Sequence, residues 1–206
     1  MAYSDFDLNK VMADFALGSE EVTDLFAGVA PVEPSDRLRE WLAEFAPVAL
    51  GFGSELARCI FIIGPLLAEA KRRCAGPVTV IPGLTLDVDK NAGLTGVCDF
   101  VLAQSSKSFV LRAPVFAAVE AKREDMTGGL GQCAAELVAI RIFNEKAKAP
   151  IPAVYGCATT GNNWRFIKLE GDTLTIDRTE HSLGNLPLLL GVLVHIADIT
   201  RPAVTS

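Results

Sequence analysis

Two short apolar runs near the middle of the chain constrain its fold most strongly. They are Val97–Ala103 and Val115–Ala121, and both have the length and composition of buried β-strands. Each run carries one acid in an otherwise uncharged segment, Asp99 in the first and Glu120 in the second. An antiparallel pairing centred between Phe109 and Val110 places Asp99 opposite Glu120. The sequence therefore predicts two carboxylates that face each other across neighbouring strands.

The residue that follows the second run adds a positive charge to this pair. Side chains alternate between the two faces of a strand, so Glu120 and Lys122 share one face and Ala121 takes the other. Neighbouring strands lie about 4.8 Å apart, which lets the two carboxylates share a divalent cation with Lys122 beside it.

Asp99 followed by Glu120-Ala121-Lys122 at the end of an apolar strand resembles the core motif of the PD-(D/E)XK nuclease superfamily. Residues 158–170, ATTGNNWRFIKLE, are similar to a strand–turn–strand of restriction-subunit nuclease domains and their small single-domain relatives. Gln132 matches a glutamine that several branches of the superfamily carry on the helix after the catalytic strand. The resemblance spans about residues 54–177. It departs from the family pattern before Asp99, where Val97-Cys98 replaces the proline element.

The resemblance implies an α/β, restriction-endonuclease-like fold, with a mixed central β-sheet flanked by α-helices. It implies a metal-dependent DNA endonuclease that hydrolyses phosphodiester bonds with Mg²⁺ or Mn²⁺. Asp99, Glu120 and the Ala121 carbonyl would bind the metal, and Lys122 would orient the attacking water or stabilise charge on the phosphate. The alternative is a catalytically inactive binding or scaffold subunit of a restriction or repair assembly that retains the fold.

A structural Glu–Lys pair at a strand end is the simpler explanation of this motif. Asp99, however, interrupts a run of apolar residues, where an acid contributes nothing to packing. Burying an acid without a partner costs free energy, so the convergence of three polar groups favours a metal site.

A third carboxylate from the first long helix would complete such a site, and two residues qualify. Glu55 and Glu69 are fourteen positions apart on the predicted helix Ser54–Cys74, which is four helical turns and nearly one face. Glu55 follows a glycine-rich bend at the helix start and is the preferred ligand. Glu69 is the alternative, although it also balances a basic run at residues 71–73.

The remaining pattern predicts one domain over residues 1–206, with its core at about 54–177. An N-terminal helical extension covers residues 1–50, and a C-terminal helix covers 186–199. The sequence predicts a flexible loop at 123–131 before a helix, Gln132–Lys148, with Gln132 and Glu136 on its wet side. The other expected elements are helices at 7–17 and 36–45 and strands at 78–88, 153–158, 164–169 and 173–177.

Composition limits the possible partners and compartment. The net charge of −6 argues against a broad DNA-covering surface but leaves room for a local DNA-binding site. Five scattered cysteines without a C-x-x-C pair, and acids where a signal peptide needs a basic start, predict a cytoplasmic protein. A hydrophobic content of 50% favours a homodimer. The chain has no P-loop and no G-x-S-x-G motif, which disfavours the other common enzyme classes.

Overall fold

An eight-stranded mixed sheet lies at the centre of the protein, and helices flank it. The structure is a computed structural model and describes residues 1–106 and 109–201. The strands are β1 (Gly18–Val22), β2 (Thr79–Thr85), β3 (Val97–Ala103), β4 (Val115–Ala121), β5 (Ala153–Thr159), β6 (Asn163–Glu170), β7 (Thr173–Asp177) and β8 (His181–Ser182). Their order across the sheet is β1-β7-β6-β5-β4-β3-β2, and β8 pairs with β6 outside this path. The β1–β7 and β4–β5 pairs are parallel and the others are antiparallel.

The helices form one layer on each face of this sheet. They are α1 (Leu8–Asp14), α2 (Asp36–Phe52), α3 (Glu55–Arg58), α4 (Gly64–Arg73), α5 (Met126–Lys146) and α6 (Leu186–Ile199), with 3₁₀ turns at Tyr3–Asp5 and Leu183–Asn185. Helices α2, α4 and α6 pack with Phe100, Phe116 and Trp164 in one apolar core. Helices α1 and α5 pack with Val101 and Ala118 in the other. None of the helices in the described ranges combines the length and apolar character needed to cross a lipid bilayer.

Strands β3 and β4 have the predicted bounds and the predicted register. Phe100 pairs with Val119 and Val101 with Ala118, and the register shifts between Leu102 and Ala103. The paired residues end at Phe100 and Val119 on the side that leads to the two acids. Asp99 and Glu120 therefore lie one residue beyond the last ladder pair, where their side chains have room to take up other partners.

Helix α5 begins at Met126, so the prediction of a flexible loop up to Gly131 is wrong. The Asp125 carboxylate caps the helix by accepting a hydrogen bond of 2.8 Å from Gly128 N. The glycines allow close packing. A Cβ at Gly129 would lie 2.7 Å from Lys122 Cγ, and a Cβ at Gly131 would lie 2.5 Å from Asp7 Cα. The glycines that indicated a loop are thus the positions where a helix touches other parts of the chain.

The N-terminal segment is not wholly helical, because it supplies the edge strand β1. Its sequence, GSEEV, is polar and mostly exposed, so no apolar pattern marks it as a strand. Backbone pairing with β7 holds it in place, together with a hydrogen bond of 2.7 Å from Thr175 Oγ1 to Glu20 Oε1.

A π-helical turn at Cys59–Ile63 joins α3 to α4 without a break. Gly64 N donates to Cys59 O, five residues earlier, and Pro65 follows. Proline has no N–H and its ring clashes with the carbonyl four residues before it, which is Phe61 O here. Trp41 Nε1 donates to that carbonyl at 3.0 Å. A wider turn and an indole donor therefore accommodate the proline within one continuous helical segment.

The π-helical turn also changes the relation between the two candidate acids. The estimate that Glu55 and Glu69 share one face assumed a regular α-helix, and the π-helical turn removes that regularity. Glu69 is buried and accepts hydrogen bonds from Ser35, Arg72 and Arg73. Its carboxylate ties the start of α2 to the end of α4.

We expect Glu69 to make stability depend on pH. Burial alone would raise the pKa of Glu69, but the hydrogen bonds from Arg72, Arg73 and Ser35 lower it from 4.5 to about 2. A depressed pKa in the folded state stabilises the protein above pH 4.5, and this contribution is lost as the pH falls towards 2. We expect a contribution of about 2 kcal/mol, because solvent screens the half-exposed arginines.

The measurement is urea unfolding of the wild type and of Glu69→Gln from about pH 6 to about pH 2. At the higher pH the wild type should have a larger free energy of unfolding than Glu69→Gln. This difference between the two proteins should shrink by about 2 kcal/mol as the pH falls across the range. Parallel curves for the two proteins would contradict the assignment.

Candidate active site

Lys122 lies at the end of β4 and joins two other predicted site residues. Its backbone N–H donates to Thr159 O at 2.8 Å, which fixes the strand end against β5. Its ammonium group donates to Glu120 Oε1 at 2.8 Å and to Gln132 Oε1 at 2.9 Å. The first turns of α5 carry Gln132 over the strand end, and Gly129 allows that approach. Glu120, Lys122 and Gln132, which the sequence predicts as site residues, are therefore in direct contact.

Asp99 reaches the same strand end through the backbone. Its Oδ2 accepts a hydrogen bond of 2.8 Å from Ala121 N. The bond bridges β3 and β4 at the point where their regular pairing has ended. Ala121, predicted to offer its carbonyl to a metal, thus contributes its amide to the placement of Asp99.

Glu55 borders the group from the start of α3. Its Oε1 accepts from Arg123 N at 3.2 Å, and its charge acts on both Asp99 and Lys122. Glu69, the alternative third acid, instead accepts hydrogen bonds from the arginines at the C-terminal end of α4.

The three acids do not form a closed ligand set. The ligand atoms of Asp99, Glu120 and Glu55 do not all lie within 4.8 Å of one another. In the described residues, a set that does is Asp24, Asp177 and His181. That group lies at the end of β7, where Asp177 Oδ2 and His181 Nε2 are 3.3 Å apart. Backbone amides of Phe26 and Thr179 already occupy one oxygen of each aspartate, so hydrogen bonding within the fold accounts for much of this group.

Glu136 is a member of the group that sequence reasoning misplaced. It was expected on the wet side of its helix, but it is fully buried. Gln132 Nε2 donates to Glu136 Oε1 at 3.3 Å. An acid within the apolar run 133–140 is the same signal that identified Asp99, and it would have found this residue.

Burial and mutual repulsion set the charges of the acids. Burial, followed by the negative charge of Asp99, raises the pKa of Glu120 from 4.5 to about 7, although Lys122 opposes the change. Burial also raises the pKa of Asp99, against the hydrogen bond from Ala121. Burial lowers the pKa of Lys122, but its hydrogen bond and ion pair with Glu120 outweigh this effect and the pKa rises. Lys122 is therefore protonated at neutral pH, and additional positive charge would stabilise the carboxylates.

A cleft of about 600 Å³ lies beside this group and is lined by Asp99. Its walls are mainly apolar and include Leu56 and Ile60 on the helical side and Pro82 on β2. Of the described residues that line it, Asp99 alone carries a charge.

Arg58 of α3 binds the backbone at the end of β4, and nothing in the sequence pattern identified it as a site residue. It is 7% exposed, and its Nη1 donates to the carbonyls of Lys122 at 2.9 Å and Arg123 at 2.5 Å. In the described part of the chain its buried Nε has no acceptor. The guanidinium fixes the backbone that carries Lys122.

Comparison of the chain with protein-family models, with curated protein sequences and with solved structures found no match.

We expect Arg58→Met to destabilise the protein by about 3 kcal/mol, because two charge-assisted hydrogen bonds to carbonyls are lost while the apolar stem is replaced. Chemical unfolding measures the change. Arg178→Met is the control, since Arg178 is exposed and lies 3.9 Å from Glu21, and it should cost less than 0.5 kcal/mol, roughly the scale of a surface pair. Equal losses in the two variants would show that Arg58 does not support the strand end.

Proposed function

We propose that this protein is a metal-dependent phosphodiesterase that cleaves DNA, with Asp99, Glu120 and Lys122 as its catalytic group. The observation that carries the proposal is the position of the Lys122 ammonium, held between Glu120 and Gln132 beside Asp99. These residues come from β3, β4 and α5, so the fold brings polar groups from separate elements together at one sheet end. Such convergence of buried titratable groups beside a cleft is typical of catalytic sites.

The donor set fits a hard divalent cation. Mg²⁺ is commonly held by one or two carboxylates, with water and substrate oxygens completing its shell. Asp99 and Glu120 would supply the carboxylates, with the Ala121 carbonyl and Glu55 as further oxygen ligands. Glu120 Oε2 is buried and has no hydrogen-bond donor among the described residues, which leaves one oxygen available to a cation. A bound Mg²⁺ or Mn²⁺ would activate water and stabilise charge on the phosphate.

The role of Lys122 follows from its protonation. A lysine with a raised pKa cannot accept a proton from water at neutral pH, so it does not act as the general base. Its ammonium instead donates hydrogen bonds and places positive charge where the phosphate gains negative charge. Gln132 restricts the direction of that ammonium, because its carbonyl occupies one of the three donors.

The scaffold alternative is less consistent with the buried charges. Burial of Asp99 and Glu120 costs free energy, and in a protein without a ligand nothing on the cleft side offsets that cost. A binding subunit gains nothing from keeping two acids of raised pKa at the edge of a cleft.

A titration with Mn²⁺ tests the metal site. The wild type should bind, and Asp99→Asn and Glu120→Gln should each weaken binding by at least about tenfold, because each removes a charged ligand. Glu55→Gln should weaken it less. Glu69→Gln is the matched control on the same helical segment and should bind as the wild type does. Calorimetry measures all five proteins, and identical affinities throughout would exclude the site.

Lys122→Ala separates an enzyme from a scaffold. Cleavage of DNA in Mg²⁺ should fall by about 10² or more, the scale of losing one charge-stabilising group. Metal binding should persist, because Lys122 is not a ligand and its removal takes away a competing charge. Under either function the change should cost about 3 kcal/mol of stability in the metal-free protein, since Glu120 would stay buried without its partner. A scaffold has no cleavage to lose, so the cleavage assay distinguishes the two functions. A wild type inert on single-stranded, double-stranded and branched DNA would overturn the proposal.

A further inference from the structure

Four side chains at the strand end form a ring of contacts. Lys122 Nζ contacts Glu120 Oε1 and Gln132 Oε1, and Gln132 Nε2 contacts Glu136 Oε1. The ring closes between the carboxyl groups of Glu136 and Glu120, which are close enough to hydrogen-bond when one of them carries a proton. Glu136 is the deepest member, because it is fully buried beneath the other three.

The chemistry of the donors fixes the direction of each bond in the ring. An ammonium group has donors only, so the amide of Gln132 must present its oxygen to Lys122. The amide nitrogen then faces Glu136 and donates to its Oε1. The orientation of Gln132 is therefore set at one end by Lys122 and at the other by Glu136.

Three hydrogen bonds in which a nitrogen donates hold the ring together. The second carboxyl oxygens, Glu120 Oε2 and Glu136 Oε2, are both buried, and neither has a donor among the described residues. The placement of Gln132 therefore depends on the bonds to Lys122 and to Glu136 Oε1.

We propose that Glu136 is a positioning residue that holds the Lys122 ammonium in place through Gln132. This inference rests on the proposed function for its consequence in catalysis, but the ring itself stands independently of that function. Glu136 touches neither solvent nor the cleft, so it acts only through its neighbours. Without it, the Gln132 amide loses the acceptor that keeps its oxygen turned towards Lys122.

Two substitutions distinguish this role from simple filling of space. Glu136→Gln keeps the shape and an acceptor for Gln132. Glu136→Leu keeps the bulk and removes that acceptor. Leu137→Ala is the control, because Leu137 is fully buried on the same helix and its truncation lowers stability without touching the ring.

The first measurement is hydrogen exchange of the Gln132 side-chain amide by NMR, which needs neither metal nor DNA. The amide should be protected in the wild type, in Glu136→Gln and in Leu137→Ala, and the amide introduced at position 136 should be protected too. Exchange at Gln132 should be about tenfold faster in Glu136→Leu, as expected for the loss of one buried hydrogen bond. Unprotected amides in the wild type or in Glu136→Gln would overturn the inference even if Glu136→Leu does not fold. Unchanged protection in a folded Glu136→Leu would overturn it equally.

The second measurement is DNA cleavage by the same proteins. Glu136→Gln should stay within about threefold of the wild type. Glu136→Leu should lose about tenfold or more in kcat with little change in KM, since a misplaced ammonium affects the reacting phosphate more than substrate binding. Equal losses in both variants would overturn the positioning role. An inactive wild type that shows the expected exchange pattern would refute the nuclease function and leave the ring intact.

Discussion

The candidate site depends on the ion pair between Glu120 and Lys122. Strand β4 is buried along its whole length, and a carboxylate there is tolerable only when a cation lies within hydrogen-bond distance. Several unrelated features of the fold serve that pair. Arg58 fixes the carbonyls at the strand end, and Gly129 lets α5 approach closely enough for Gln132 to reach the ammonium. A buried arginine and a glycine at a helix start thus both support one buried ion pair.

The sheet contributes by ending its pairing early. If the β3–β4 ladder continued one residue further, backbone hydrogen bonds would hold Asp99 in line with Glu120. The ladder instead stops at Phe100 and Val119, and the Asp99 side chain takes the Ala121 amide. Asp99 lines the cleft, while Glu120 contacts Lys122 and lies beside Glu136 of α5. The two carboxylates therefore have different environments, one beside solvent and one beside buried helix residues.

Periodicity in the sequence was sufficient to predict the parts of the fold that bury apolar surface. Strands β3, β4 and β7 and helix α6 have their predicted bounds, because each is a clear apolar pattern with defined ends. Contacts that do not depend on an apolar pattern could not be predicted.

Strand β1 is polar and is held by backbone pairing, and Gly129 is helical because packing overrides its local preference. Arg58 was missed because its partners lie 64 and 65 residues away. Glu136 was placed on the wet side although the apolar run around it indicated burial. Glu120 and Lys122 were found because strand alternation places them on one face, and Gln132 was found because it matches a position of the family motif.

The pairing of β1 with β7 has a consequence for the order in which the chain can fold. These strands are joined across a separation of 155 residues, shown by the bond between Glu20 and Thr175. On a ribosome that adds roughly 5–20 residues per second, β1 waits about 10 to 30 s for its partner to be made. The strand is short, charged and mostly exposed, so it offers little apolar surface for aggregation during that interval. The polar sequence that makes β1 hard to predict as a strand therefore also lowers the risk of aggregation for a segment that is synthesised early and pairs late.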